Sequence, residues 1–159
     1  MNNDMIVNLY DLDFNLDFSY LAKENIKIVR PLSPDIHLVL EFIEKHFNKG
    51  WSSETLVALT KTYPTCFIAV KDKKIIGFAA FEATGKAYFG PTGVDSEYRG
   101  LGVGKALLLS SLKGLKDLGY TYAIIGGVGS AKNFYEKVVG AVNIPKGYPG
   151  LYSRLVSRN

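Results

Sequence analysis

Val94-Asp95-Ser96-Glu97-Tyr98-Arg99-Gly100-Leu101-Gly102-Val103-Gly104-Lys105-Ala106-Leu107-Leu108 is the stretch whose reading decides the fold. Residues before it, from Lys86 to Val94, read as a strand. After it, Leu101, Leu108, Leu112, Leu115 and Leu118 fall largely on one helical stripe that Gly119 ends. Glycine lacks Cβ, so successive backbone N–H groups can converge on one anion, and the unpaired donors of the helix's first turn add partial positive charge. The loop is built for phosphate. Two other templates fail on single residues. The loop GxxxxGK[ST] needs Gly at 99 and Ser or Thr at 106, where Arg99 and Ala106 stand. The fingerprint GxGxxG needs Gly at 105 and an acid about twenty residues onward, where Lys105 and the Tyr120–Tyr122 strand stand.

Outward from the loop, Tyr120 to Ile125 reads as a strand, so the order strand, helix, strand implies a right-handed crossover and a parallel pair. Upstream, Thr65 to Val70 and Ile75 to Glu82 are strand-like, with Lys71-Asp72-Lys73-Lys74 as a hairpin turn. In the second of these strands both alternating sets, Ile76/Phe78/Ala80 and Ile75/Ala79/Phe81, are apolar, which puts helices on both faces of the sheet. Ile26 to Val29 is a short strand stopped by Pro31 and Pro34. Ser33 and Pro34 open a helix with Ile36, Leu40, Ile43 and Phe47 in register, closed by Asn48-Lys49-Gly50. A shorter helix is expected from Ser52 or Ser53 to Tyr63, another from Ala131 to Val139, and terminal strands around Val142 and Tyr152. The expected fold is a layered α/β domain over 1–159, with a mixed central sheet, helices on both faces and a parallel, splayed strand pair in the middle. Splaying is expected because Gly90-Pro91-Thr92-Gly93-Val94 and Gly126-Gly127 weaken neighbouring strands near one edge. The alternative for these residues is a bulge that only curves the sheet.

Composition narrows the partners. Of 159 residues, 47% are apolar and 21% charged, which excludes wholesale disorder. The run Ala106–Leu112 is far too short to cross a bilayer, and the N-terminus lacks the basic start and apolar core of an export signal, so a cytoplasmic, membrane-free protein is expected. A lone Cys66 and two distant histidines, His37 and His46, make no metal cluster. Residues 1–25 hold five acids against one base and read as an acidic arm or an edge strand. The remaining body carries 18 bases and 10 acids. Its lysines are scattered singly, favouring a small anionic ligand over nucleic acid.

The pattern R-x-x-G-x-G, from Arg99 to Gly104, resembles the GNAT superfamily of acyl-CoA-dependent N-acyltransferases. Hairpin, strand, glycine loop, helix, strand and a helix bearing AKNFYEK follow in that family's order from Phe67 to Ala141. The resemblance implies that Arg99, Gly100, Leu101, Gly102, Val103, Gly104 and Lys105 hold the diphosphate of acetyl-coenzyme A. It also implies that main-chain groups near Val94 pair with the pantetheine arm as a strand does. Tyr135 of FYEK is then the general acid at the coenzyme sulfur, the other reading being a packing residue beside Phe134. Two departures stand out: Val128 occupies the place of a frequent asparagine, and VVGA carries one extra residue.

Attack of a neutral amine on a thioester needs no enzyme nucleophile, so direct transfer in a ternary complex is expected, without metal, and Cys66 in the apolar run CFIAV is read as core. Glu82 is the candidate base, acting through a water; its other reading is an exposed strand end. Trp51, Glu54 and Tyr148 are the candidate acceptor-binding residues, for a small primary amine such as an amino sugar or amino acid. The protein is expected as a monomer or homodimer, and a catalytically silent acyl-CoA-binding module is the competing reading.

Overall fold

The computed structural model describes residues 3–156. Its first organising feature is the hairpin of β3 (Cys66–Lys71) and β4 (Lys74–Phe81), turned by Asp72 and Lys73 at φ +49° and +63°. Two consecutive left-handed residues match the twist of antiparallel strands. β2 (Ile26–Val29) pairs with β3 on one side, and β5 (Tyr88–Val94) pairs with β4 on the other. The helix α4 (Val103–Asp117) then carries the chain over the sheet to β6 (Tyr122–Ile125), parallel to β5.

The sheet has seven strands in the order β2-β3-β4-β5-β6-β1-β7, with β1 at Met5–Asn8 and β7 at Val142–Asn143. β1 is antiparallel to both neighbours, Met5 facing Ile125 and Asn143. The acidic opening was expected as an arm or an edge strand. Met5–Asn8 instead has a strand on each side, because Met5, Val7 and Leu9 are apolar, fully buried and spaced to fill one face.

Helices cover both faces, as expected. α4 buries Leu107, Leu108, Leu112 and Leu115 against Ile76, Ala79 and Phe81, each such side chain contributing roughly 1.5–3 kcal/mol. On the opposite face α2 (Ile36–His46) and α3 (Lys49–Leu59) bring Val39, Phe42, Ile43, Ala58 and Leu59 onto Cys66, Ile68, Phe78 and Ala80. Two short helices complete the set, α1 (Ser19–Ala22) and α5 (Lys132–Val139). None of the described helices is long and apolar enough to cross a membrane.

Four expectations are corrected. Ala69 faces Gly77 while Val70 faces Ile75, so Ile76 is the extra residue of a bulge and joins Ala79 and Phe81 on the α4 face, leaving Phe78 and Ala80 with Ile75. Asn48 does not close α2 but opens α3, its side chain accepting the Trp51 N–H at 2.9 Å. The leucine stripe is shorter at both ends, for Leu101 and Leu118 are exposed. Tyr152 lies in a 3₁₀ turn, Gly150–Arg154, instead of a strand, since Pro149 lacks a ladder donor and Gly150 is left-handed.

Gly114 shows how tightly α4 sits. A Cβ there would stand 2.5 Å from the Phe81 ring, and Phe81 is fully buried and cannot swing aside. Gly114→Val is therefore expected to destabilise by roughly 1–3 kcal/mol, more than the up to about 1 kcal/mol a helix gains on losing glycine. Thermal unfolding checks this; an unchanged midpoint would mean that α4 slides freely on β4.

Candidate active site

β5 and β6 stay together for two pairs only, Tyr88 with Ile124 and Phe89 with Ile125. Gly90, at φ +114°, and Pro91, without an N–H, then turn β5 away, although it remains paired with β4 through Val94. β6 ends into Gly126 and Gly127, the latter at φ +59°. Both readings of these residues are met: β5 bulges against β4 at Gly90-Pro91, and it parts from β6 after Phe89, which leaves its edge from Gly90 to Val94 without the parallel neighbour.

This edge leads to the glycine loop. Asp95 is buried, donates its N–H to the bulge carbonyl of Ile76 at 2.8 Å, and accepts the Glu97 N–H at 3.0 Å. That anchors the 3₁₀ turn Ser96–Tyr98, with His46 Nε2 at 3.8 Å from the Asp95 carboxylate. Gly100 and Gly102 both adopt φ +84°, where a side chain is strained. The intrahelical bond from the Ala106 N–H to the Gly102 carbonyl, at 3.1 Å, leaves the amides of Val103, Gly104 and Lys105 at the open end of a 15-residue helix. A Cβ on Gly104 would meet only Val94 Cγ2 at 3.8 Å, an ordinary contact. Protein packing does not demand glycine there, and the clearance suits an anion drawn against the backbone. Arg99 and Lys105 are exposed at the rim.

The N-terminal segment reaches this rim. Tyr20 donates a hydrogen bond to the Gly102 carbonyl at 3.3 Å, and a recess of about 230 Å³ beside the loop is lined by Asp13, Asn15, Asp17, Tyr20, Lys105 and Leu109 among others. Lys116 lies over the Phe14 ring at 5.2 Å and ties the segment to α4.

Tyr135, on α5, is 6% exposed and packs edge-on against Phe89, the last residue of β5 paired with β6, at 6.3 Å. Burial pushes its hydroxyl up to about 12, so it stays protonated as a hydrogen-bond donor. Gly140, left-handed at φ +65°, ends α5 and absorbs the extra residue of VVGA; Val128 is buried in the α4-face core. Glu82 sits in the turn after β4. Its carboxylate accepts the Ala87 N–H at 2.8 Å and lies 4.0 Å from Lys61, whose ammonium also donates to the Glu82 carbonyl at 2.6 Å. Cys66 is fully buried, and desolvation pushes its thiol up to about 12, consistent with the core reading.

The acceptor candidates separate. Trp51 packs with Phe47 at 5.1 Å and Phe78 at 6.3 Å, and Phe47 in turn occupies the space over Gly93. Tyr148 is exposed in the turn after β7. Glu54 accepts hydrogen bonds from Thr84 at 2.5 Å and from Tyr152 at 3.3 Å. Sequence reasoning did not group Asp4, Thr84, Tyr88 and Tyr152, which meet around Glu54, Gly126 and Gly127. Only the topology brings their four segments together, although Asp4 beside the alternating Met5 and Val7 was a signal.

A model of the acetyltransferase (GNAT) family matches residues 34–141, which include the parting strands, the glycine loop and α5. The chain belongs to that family. This GNAT protein thus belongs to a family of acyltransferases whose acyl donor is acetyl-coenzyme A. Among solved structures it is similar to a GCN5-related glucosamine N-acetyltransferase region of a fungal multi-domain β-N-acetylglucosaminidase, with TM-score 0.71 and 18% identity over 89% of this chain and 19% of that one. An aminoglycoside acetyltransferase from an uncultured soil metagenomic sample, in complex with sisomicin, gives 0.54 and 18% over 73% and 88%. A GNAT acetyltransferase from Brucella melitensis with acetyl-CoA gives 0.52 and 20% over 69% and 80%. At these identities the likeness speaks for the fold. No curated relative matches. The GNAT chain thus spans about a fifth of the fungal protein, and its own acceptor has to be argued from its own residues.

Proposed function

We propose that this GNAT protein transfers an acetyl group from acetyl-coenzyme A directly to the primary amine of a small molecule. The observation that carries the reading is the parting of β5 and β6 after Phe89, on the side where β5 leads into the glycine loop. Bound acetyl-coenzyme A supplies an acetyl group activated as a thioester. The amides from Gly100 to Lys105, with Arg99 and Lys105 beside them, hold its diphosphate, Leu101 and Val103 shaping the turn. Main-chain groups near Val94 orient the arm as a neighbouring strand. Tyr135 donates its hydroxyl proton toward the departing sulfur. Glu82 receives the acceptor's proton only through a water, because its own oxygens already serve Ala87 and Lys61. Of the three acceptor candidates Glu54 is kept for the acceptor end, while Trp51 packs with Phe47 and Phe78 and Tyr148 stands exposed in the turn after β7. Cys66, buried with its thiol protonated, takes no acyl group.

Release of coenzyme A from acetyl-CoA across a panel of amino sugars, amino acids and polyamines tests this. Turnover with at least one small amine is expected, and mass spectrometry after acetyl-CoA alone should show no acetyl group on Cys66. Tight coenzyme A binding with no turnover on any amine would replace the proposal by a silent acyl-CoA-binding module.

A further inference from the structure

The peptide that joins Gly102 to Val103 is held from outside the glycine loop. Its carbonyl accepts the Ala106 N–H at 3.1 Å, the first bond of α4, and also the Tyr20 hydroxyl at 3.3 Å. In a trans peptide the carbonyl and the amide point to opposite sides, so fixing the Gly102 oxygen fixes where the Val103 N–H points. That N–H is one of the unpaired donors that open α4. Gly102, without a side chain and at φ +84°, sets this plane only weakly by itself.

Tyr20 arrives on α1, which is firmly seated. Leu21 is buried in the α4-face core, the Phe18 ring meets that of Tyr20 edge-on at 6.4 Å, and Asp17 Oδ1 accepts the Ser19 N–H at 3.0 Å. β1 before it and β2 after it both belong to the sheet, so the intervening segment is pinned at each end. The Tyr20 ring comes so close over Gly102 that a Cβ there would stand 2.8 Å from Cε2. Desolvation pushes the Tyr20 hydroxyl upward, which keeps its proton in place for donation. Tyr20 and Lys105 line the same recess beside the loop. Tyr20 stands outside residues 34–141, the span shared with the family, so the contact belongs to this chain's own N-terminal segment.

Resting on the proposed coenzyme A site, we propose that Tyr20 is a positioning residue for the cofactor: its hydroxyl and ring hold the Gly102–Val103 peptide so that the Val103 amide faces the diphosphate. A carbonyl that accepts a hydrogen bond also polarises its peptide and makes the attached N–H a better donor. Tyr20 acts through the loop and takes no part in the chemistry. Its hydrogen bond is long for a hydroxyl donor, and the residue is half-exposed. The contact therefore adds little to the stability of the fold, and its loss should be read in cofactor affinity.

Calorimetric titration with coenzyme A is the test, with Tyr20→Phe and Tyr20→Ala beside wild type. Phenylalanine keeps the ring over Gly102 and drops the hydrogen bond, so Kd should rise about threefold; it should rise about tenfold in Tyr20→Ala, where ring and hydroxyl are both gone. Thermal unfolding of Tyr20→Phe should match wild type, so this variant reports even where Tyr20→Ala loosens α1. In amide NMR spectra of the free protein the Val103 nitrogen, bonded to the carbonyl carbon whose oxygen has lost a donor, should shift in Tyr20→Phe. With an acceptor that turns over, the KM for acetyl-CoA should rise by the same factors while kcat stays within about twofold. Wild-type affinity in both variants, an unmoved Val103 signal in Tyr20→Phe, or an affinity that falls only in step with the unfolding midpoint overturns this inference and leaves the acetyltransferase reading intact. No heat from coenzyme A with the wild-type protein removes the cofactor site itself, and this inference with it.

Discussion

Gly102→Val is expected to weaken coenzyme A binding by roughly tenfold to a hundredfold, through the backbone more than through the added bulk. Two effects compete for the explanation. A Cβ at 102 would stand 2.8 Å from Tyr20 Cε2, but Tyr20 is 41% exposed and its ring can swing into solvent at little cost. The φ of +84° has no such escape: a β-branched residue held there costs about 1–3 kcal/mol, and relaxing it rotates the amides that open α4. Two controls separate the contributions. Gly100→Ala has the same φ and nothing within 4 Å of the new methyl, so it isolates the backbone effect. Gly104→Ala has no positive φ and only Val94 at 3.8 Å, so the protein should tolerate it, and any affinity it loses reports the clearance kept for the ligand. Calorimetric titration with coenzyme A reads all three. Wild-type affinity in Gly102→Val would remove the loop from the binding site.

How much of this was legible in the sequence depends on how local each cause is. The β3–β4 hairpin, the α4 stripe and the loop announce themselves within short windows, because turn residues, leucine spacing and glycines act on their immediate neighbours. The bulge at Ile76 does not. Both faces of β4 are apolar, so slipping one residue leaves a pattern that looks equally good. Asn48 was ambiguous for a different reason: Lys49-Gly50 resembles a helix end, while the side chain that decides the matter caps the next helix. Asp4 was the least legible. Counted among five acids in residues 1–25 it reads as part of a solvated run, yet its strand is held by β6 and β7 from the far end of the chain. No window contains both partners. The proposed acceptor side depends on such long-range pairings, whereas the proposed cofactor side is one continuous motif.

Tyr135→Phe removes one oxygen and should lower kcat by about a hundredfold, leaving coenzyme A affinity within about twofold. The size follows from what the hydroxyl can do. Burial holds it at about 12, whereas an ordinary thiol ionises near 8.5, and each unit of mismatch costs about 1.4 kcal/mol. Full proton transfer from Tyr135 to a departing thiolate is therefore uphill unless the same apolar surroundings raise the thiol as well. Donation of a hydrogen bond, which stabilises charge as it develops, has no such penalty. Loss of one such donor typically costs a factor of about 10²–10³, while packing against Phe89 and Phe134 survives in phenylalanine. The pH profile supplies a second readout with a definite sign. A raised pKa keeps the donor protonated through the neutral and mildly alkaline range, so wild type and Tyr135→Phe should share the same alkaline limb. An alkaline loss near pH 10 in wild type alone would mean that Tyr135 titrates as an exposed phenol, and an unaltered kcat would confine it to packing.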